Sequence, residues 1–225
     1  MQAVKILRKL FGSLVWKIQT NDPLLFLTFD DGPIPIVTPW VLDQLNQYNA
    51  KATFFCIGDN VSKHPDIFRK IISQGHAFGN HTYHHLNGWK TKNKLYADDA
   101  AQCDTVLIRE SGDPQKMTIN FFRPPYGKIK PSQVSALKKK YKIIMWDILS
   151  KDYDAALKGE DCVRRVIKNT KPGSIIVFHD SLKAEERLRY ALPKILAHYS
   201  EKGYRFEAIP MHLSQRFNQD NQKRI

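Results

Sequence analysis

The sequence predicts an α/β fold, a distorted (β/α)7-type barrel of parallel strands with outer helices. Short apolar runs alternate with helix-like segments along the chain, an order typical of parallel strands joined by crossover helices. About seven such units follow one another, which favours a barrel. No glycine-rich phosphate loop follows the first strand, which disfavours a doubly wound nucleotide-binding sheet.

The length of the chain fits one principal domain. It has 225 residues, of which 42% are hydrophobic, and this suffices for a single substantial core. We predict a domain over residues 21–215, a short basic N-terminal segment at 1–20 and a polar C-terminal tail at 216–225.

The predicted elements of the first half are regular. Leu24–Phe29 is a continuous apolar run, as expected for a strand covered on both faces. Thr38–Tyr48 has apolar residues at helical spacing, with Pro39 where a first helical turn tolerates it. Next come a strand over Ala52–Ile57, a helix over Pro65–Ser73 and a strand over Ala77–Asn80.

The second half continues the alternation. We predict helices at 93–110, 131–140, 161–169 and 185–202, and strands at 121–122, 141–149, 174–178 and 204–209. Ionisable residues follow several strands directly: Asp30 and Asp31, His81, Arg123, and His179 with Asp180. In barrels of this type the carboxyl ends of the strands meet at one mouth, so these side chains are expected to converge there.

The charge of the chain is strongly positive, with a formal net charge of +13. Its lysines and arginines are scattered and do not alternate with aromatic residues, so we predict no nucleic-acid partner. Met1–Trp16 lacks the apolar run and cleavage site of a signal peptide and is too polar to span a membrane. It predicts either an amphipathic helix on an anionic membrane or a helix packed on the domain.

The location is predicted to be cytoplasmic, either free or peripheral to the inner membrane face. The three cysteines have no CxxC spacing and form no even set, which agrees with a reducing compartment.

Two motifs point to a metal. Asp30 and Asp31 end a strand before a Gly-Pro turn, so that one carboxylate can bind a cation while the other moves protons, although such turns also occur without function. His81 and His85 are four residues apart and would share one face of a helical turn, whereas His84 is predicted to lie on the surface.

The ligand set of Asp31, His81 and His85 leaves coordination positions open, as in catalytic sites. It predicts one divalent metal, zinc in the first place, with cobalt, nickel, iron and manganese as alternatives.

The sequence resembles the polysaccharide deacetylases, the NodB-like domains of carbohydrate esterase family 4. Their ordered motifs are matched by TFDDGP at Thr28–Pro33, HTYHH at His81–His85, RPPYG at Arg123–Gly127 and VFHD at Val177–Asp180. The motif between the last two is only partly kept: Leu149 replaces its usual aspartate and Tyr153 its usual tryptophan.

The resemblance implies a role for each matched position. Asp30 is implied as the general base and Arg123 as the residue that holds it ionised. His179 is implied as the general acid, kept protonated by Asp152. Asp31, His81 and His85 are implied as the metal ligands.

The implied substrate contacts are four. The backbone N–H of Tyr126 is expected to stabilise the oxyanion, Tyr153 to form an aromatic wall, and Pro125 and Val177 to contact the substrate. The implied reaction removes an N-acetyl group from an amino sugar in a glycan or glycan precursor. The alternatives are an O-acetyl esterase or non-sugar amidohydrolase using the same metal site, and a non-catalytic glycan- or membrane-binding protein.

Overall fold

The structure, a computed structural model, describes residues 12, 14–112 and 118–211. Its strands are β1 (Leu24–Asp30), β2 (Ala52–Cys56), β3 (Ala77–Asn80), β4 (Phe121–Phe122), β5 (Lys142–Ile143), β6 (Ile148–Leu149), β7 (Ile175–His179) and β8 (Arg205–Phe206). Its helices are α1 (Val37–Gln47), α2 (Gly58–Lys63), α3 (Pro65–Ser73), α4 (Asn93–Glu110), α5 (Pro131–Leu137), α6 (Gly159–Asn169) and α7 (Glu185–Glu201), and a 3-10 turn spans Pro125–Gly127.

The sheet confirms the predicted barrel-type α/β fold. Its strands are ordered β5-β4-β3-β2-β1-β7-β6, with β8 added beside β1, and all these pairs are parallel. Within the described residues no ladder joins β5 to β6, so the barrel is open between these two strands. Asp30 at the end of β1 lies level with Phe55 on one side and His179 on the other.

The core lies between the central strands and the helices. Phe29 stacks on Phe54 and on Phe178, with ring centroids 5.1 and 6.2 Å apart. These fully or almost fully buried rings join β1, β2 and β7, and β1 and β7 end at Asp30 and His179. The carboxyl ends of the central strands are thereby held in one fixed layer.

The predicted strand over Tyr141–Leu149 is wrong, because two short strands, β5 and β6, take its place. The cause is Arg123, whose Nε donates to the Ile144 carbonyl at 3.1 Å and whose Nη2 donates to the Met145 carbonyl at 2.9 Å. Carbonyls that a continuous ladder would use face a buried guanidinium instead. The last strand, β8, is also shorter than the predicted 204–209, and α2 was not predicted.

The predicted helix over Met1–Trp16 falls mostly outside the described residues, and the predicted C-terminal tail at 216–225 lies wholly outside them. The described residues at the end of this N-terminal segment are not helical. Val15 forms a parallel bridge with Ile144 and Lys17 an antiparallel bridge with Ser174, and Leu14 and Trp16 belong to the core cluster. In the described part of the chain no helix is long and apolar enough to cross a membrane.

Candidate active site

The turn after β1 separates its two carboxylates. Asp31 adopts a positive φ of 84°, and its carbonyl accepts a hydrogen bond from Asn60 Nδ2 at 2.7 Å. The buried Asp180 carboxylate accepts from Gly32 N at 3.0 Å and from Thr38 Oγ1 at 2.6 Å. A Cβ on Gly32 would lie 2.0 Å from Asp180 Oδ2, so this close approach requires glycine. Asp180 therefore shapes the turn that aims Asp31.

The loop after β3 carries His81 and His85, and the prediction that they share a helical turn is wrong. The loop is irregular, and His85 has a positive φ of 56°. Asp99 on α4 holds the loop: it accepts from the N–H groups of Tyr83 and His84 at 2.8 and 3.1 Å and pairs with the His84 ring at 2.5 Å. His84 is thus directed towards Asp99.

Three potential ligand atoms face one another at the mouth of the barrel. Asp31 Oδ1 lies 3.2 Å from His85 Nε2 and 3.7 Å from His81 Nε2, and the atoms of this cluster lie within 4.8 Å of one another. Asp31 Oδ1 is buried without a hydrogen-bond partner. A buried acceptor left without a donor beside two imidazole nitrogens fits a divalent cation. Carboxylate and imidazole ligands bind zinc, cobalt, nickel, iron and manganese, so the ligand types do not identify the metal.

The Nδ1 atoms of His81 and His85 each have a hydrogen-bond partner. His81 Nδ1 lies 2.7 Å from the Arg123 carbonyl and His85 Nδ1 lies 3.1 Å from the Tyr126 hydroxyl. When Nδ1 donates a hydrogen bond, Nε2 is left free to bind a metal. Metal-binding histidines are usually oriented by a hydrogen bond of this kind. Burial lowers the pKa of His81 to about 4. Burial opposes ionisation of Asp31, yet the His85, His179 and His81 rings hold the pKa of its carboxyl below the ordinary value.

Asp30 forms a buried ion pair with Arg123. Arg123 Nη1 lies 2.7 Å from Asp30 Oδ1 and donates also to Thr28 Oγ1 at 2.7 Å. The guanidinium is fully buried and lies 4.0 Å from the centroid of the Phe55 ring. Since its remaining donors are fixed by backbone carbonyls, Arg123 holds one orientation of the Asp30 carboxylate.

His179 is oriented by Asp152. Its Nδ1 lies 2.7 Å from Asp152 Oδ1, and its backbone N–H donates to Oδ2 at 2.8 Å. Arg187 Nε donates to the Asp152 carbonyl at 2.5 Å, and the Tyr153 ring meets the His179 ring edge-on at 5.0 Å. Burial alone would lower the pKa of His179, but the charge and hydrogen bond of Asp152 raise it to about 9. This raised pKa favours the protonated ring at neutral pH.

These groups open into a cleft of about 490 Å³. It is lined by Asp30, Asp31, His81, His85, Tyr126, Gly127, Lys128, Trp146, Leu149, Tyr153, Val177, His179 and Lys183. Of the predicted site residues, Arg123 and Asp152 lie behind this lining, each in contact with a residue that belongs to it. Pro125 is buried and does not line the cleft.

Five of the lining residues were not predicted as site residues. Gly127 and Leu149 lie within the family motifs, whereas Lys128, Trp146 and Lys183 lie outside them. Trp146 lies in the break between β5 and β6, which the prediction placed inside one strand. Lys128 directly follows the RPPYG motif, and Lys183 lies three residues after the end of the VFHD motif. Positions so close to matched motifs are a usable indication, but which side chain faces the cleft depends on the loop backbone.

A parallel barrel with an Asp–His–His cluster and an aspartate-paired histidine at its carboxyl end is the arrangement of a metal-dependent hydrolase. The family described as "Polysaccharide deacetylase" matches residues 17–143, and the chain belongs to this family. A peptidoglycan-N-acetylglucosamine deacetylase of Bacillus cereus is 34% identical over 200 residues, covering 88% of this chain and 92% of the relative.

Two further relatives are similar over most of their length. A chitooligosaccharide deacetylase of Azorhizobium caulinodans is 29% identical, covering 86% of this chain and 96% of the relative. The crystal structure of the Bc1960 peptidoglycan N-acetylglucosamine deacetylase, solved with a naphthalenyl N-hydroxybenzamide, has a TM-score of 0.80 and 34% identity, with 88% of this chain and 91% of that chain covered.

Proposed function

We propose that this protein removes the acetyl group from an N-acetylated amino sugar in a glycan or glycan precursor, with one divalent metal held by Asp31, His81 and His85. The observation that carries the proposal is the buried, unpartnered Asp31 Oδ1 facing two imidazoles in the cleft that also holds Asp30 and His179. The names of the relatives support the substrate class. We propose zinc as the native metal.

The residues of the chain divide the chemistry of amide hydrolysis. A divalent metal at this position would supply Lewis acidity to the acetyl carbonyl and to water. Asp30, oriented by its ion pair with Arg123, accepts the proton of the attacking water. The backbone N–H of Tyr126 stabilises the oxyanion. His179 donates its proton to the departing amine, because an amine leaves poorly without one.

The partly kept family motif, in which Leu149 and Tyr153 replace the usual residues, borders the proposed substrate pocket. Leu149 and Tyr153 both line the cleft, and Tyr153 contacts the His179 ring. An apolar side chain replaces a carboxylate at Leu149, so this wall of the cleft is less acidic and more apolar than the family motif implies. We propose that Tyr153 and Val177 border the acetyl methyl group.

The cytoplasmic location stays a prediction from the first residues. The contact with an anionic membrane gains no support from the structure, since the described residues Leu14, Val15 and Trp16 are buried in the domain. Cell fractionation of the full chain tests the location, and recovery of the protein only outside the cell would contradict it.

Acetate release separates the proposed reaction from its alternatives. We expect the metal-loaded protein to release acetate from N-acetylglucosamine oligomers and to lose this activity after treatment with a chelator. Acetylated xylan tests the O-acetyl esterase, and a simple N-acetyl amide tests the non-sugar amidohydrolase. Release only from one of these two substrates would replace the proposed reaction, and release from none of the three would favour a non-catalytic binding protein.

The alkaline limb of the activity profile is expected to depend on Asp152. His179 must be protonated to act as the acid, so kcat/KM should fall as pH rises through its pKa of about 9. Asp152→Asn removes the charge that raises the pKa of His179 most. Asp30 and Asp31, which remain in the variant, raise this pKa less than Asp152 does. The limb should therefore move to lower pH, by about one pH unit or more. Profiles of kcat/KM against pH measure the shift, and an unmoved alkaline limb in a folded, metal-loaded Asp152→Asn protein would exclude His179 as the acid.

A further inference from the structure

An exposed aromatic side chain is held rigidly beside the cleft. Trp89 follows the second metal-ligand candidate, His85, by four residues, and 54% of its surface is exposed. Its indole Nε1 donates to the Ile129 carbonyl at 3.2 Å, and its backbone N–H donates to Asn87 Oδ1 at 3.1 Å. The ring is thus anchored at its polar edge while much of its apolar surface stays in water. Core packing does not explain an anchored indole that remains this exposed.

The loop that carries Trp89 packs tightly on the loop that carries Tyr126. A Cβ on Gly88 would lie 2.3 Å from the Lys128 carbonyl, and Gln133 Nε2 donates to the Gly88 carbonyl at 3.0 Å. Tyr126 itself is 59% exposed and lines the cleft. Trp89 and Tyr126 therefore belong to two adjoining loops, and the second of these forms one wall of the cleft.

Lys128 lies between the cleft and the indole. It lines the cleft, and its Nζ is 5.4 Å from the centroid of the Trp89 ring. Among the described residues no carboxylate forms an ion pair with it, although the chain pairs many other basic side chains. An ammonium group with three donors is thus available to a ligand beside an apolar ring.

We propose that Trp89 and Lys128 bind the sugar next to the one that is deacetylated, and that this neighbouring sugar carries a carboxylate. The C–H face of a pyranose ring buries apolar surface against an exposed indole, and a carboxylate accepts a charge-assisted hydrogen bond from the ammonium. The inference rests on the proposed deacetylation and narrows its substrate class to acidic glycans of at least two sugars.

Two oligosaccharides of equal length test this inference. One is a neutral N-acetylglucosamine tetramer, and the other alternates N-acetylglucosamine with N-acetylmuramic acid, whose lactyl group supplies a carboxylate. The measured quantity is the ratio of kcat/KM for the acidic substrate to that for the neutral one. We expect the ratio to exceed one in the wild type, and Lys128→Gln to lower it about tenfold, the effect of losing one hydrogen bond to a charged group.

A second variant and a control complete the design. Trp89→Ala is expected to raise KM for both tetramers several-fold with little change in kcat, because the side chain binds a sugar that does not react. Lys139→Gln removes one positive charge just before β5, at the opposite end of the strands, and should leave both substrates unaffected.

Three results would overturn the inference. They are an equal loss on both substrates in Lys128→Gln, a Lys139→Gln ratio that falls as far as that of Lys128→Gln, and an unchanged KM in Trp89→Ala. Failure of the underlying deacetylation is distinguishable from these results, because the wild type would then release no acetate from either tetramer.

Discussion

Replacing Asp30 by asparagine is expected to lower kcat/KM for deacetylation about 10³-fold, the usual size of a general-base contribution. The amide keeps the shape of the carboxylate but cannot accept the proton of the attacking water. Asp31, His81 and His85 are untouched, so metal content should stay at that of the wild type. Initial rates of acetate release, normalised to bound metal, measure the effect.

The same substitution should also lower stability, because Arg123 is fully buried and would lose its counter-charge. Breaking a buried pair from one side costs about 3–5 kcal/mol of unfolding free energy, which urea unfolding measures. Asp98→Asn is the matched control, since its carboxylate pairs with Lys94 on the exposed face of α4. A folded, metal-loaded Asp30→Asn protein with the rate of the wild type would exclude Asp30 as the base.

His85→Ala is expected to abolish stoichiometric metal binding and to reduce acetate release to background. The change removes one of three ligand atoms, the Nε2 that lies 3.2 Å from Asp31 Oδ1. Two remaining ligands hold a divalent metal far more weakly at micromolar protein concentrations. Metal analysis after gel filtration and acetate release measure the two effects.

The neighbouring residue supplies the control for this experiment. His84→Ala removes a ring that pairs with Asp99 and does not line the cleft, so most of the bound metal should remain. Loss of the metal in His84→Ala together with its retention in His85→Ala would show that the wrong histidine of the pair was assigned.

Much of the fold could be predicted from local patterns. The bounds of α4 and β3 agree with the prediction, and β1 differs by one residue. In α4 apolar residues recur at helical spacing, and β1 is an apolar run ended by an acidic turn, so in both elements local preference and burial favour the same state. The placement of ionisable residues after strands predicted the meeting of Asp31, His81 and His179, because parallel strands bring their carboxyl ends together.

The parts that could not be predicted depend on contacts between distant residues. Arg123 interrupts the predicted strand at 141–149 by binding two of its carbonyls, from a position about twenty residues earlier in the chain. Asp99 on α4 keeps the His81–His85 loop irregular by binding three of its donors. Neither contact can be recognised from the local sequence. Local pattern and spacing therefore predicted a continuous strand at 141–149 and a helical turn at His81–His85.

The central claim is that Asp31, His81 and His85 hold one divalent metal in the cleft. A crystal structure of the protein grown with zinc and soaked in acetate, with anomalous data at the zinc edge, tests this most directly. The account predicts one anomalous peak within about 2.3 Å of Asp31 Oδ1, His81 Nε2 and His85 Nε2, with acetate between it and Tyr126 N. An active protein whose crystals show no metal at these three atoms, or a metal elsewhere in the cleft, would contradict the account.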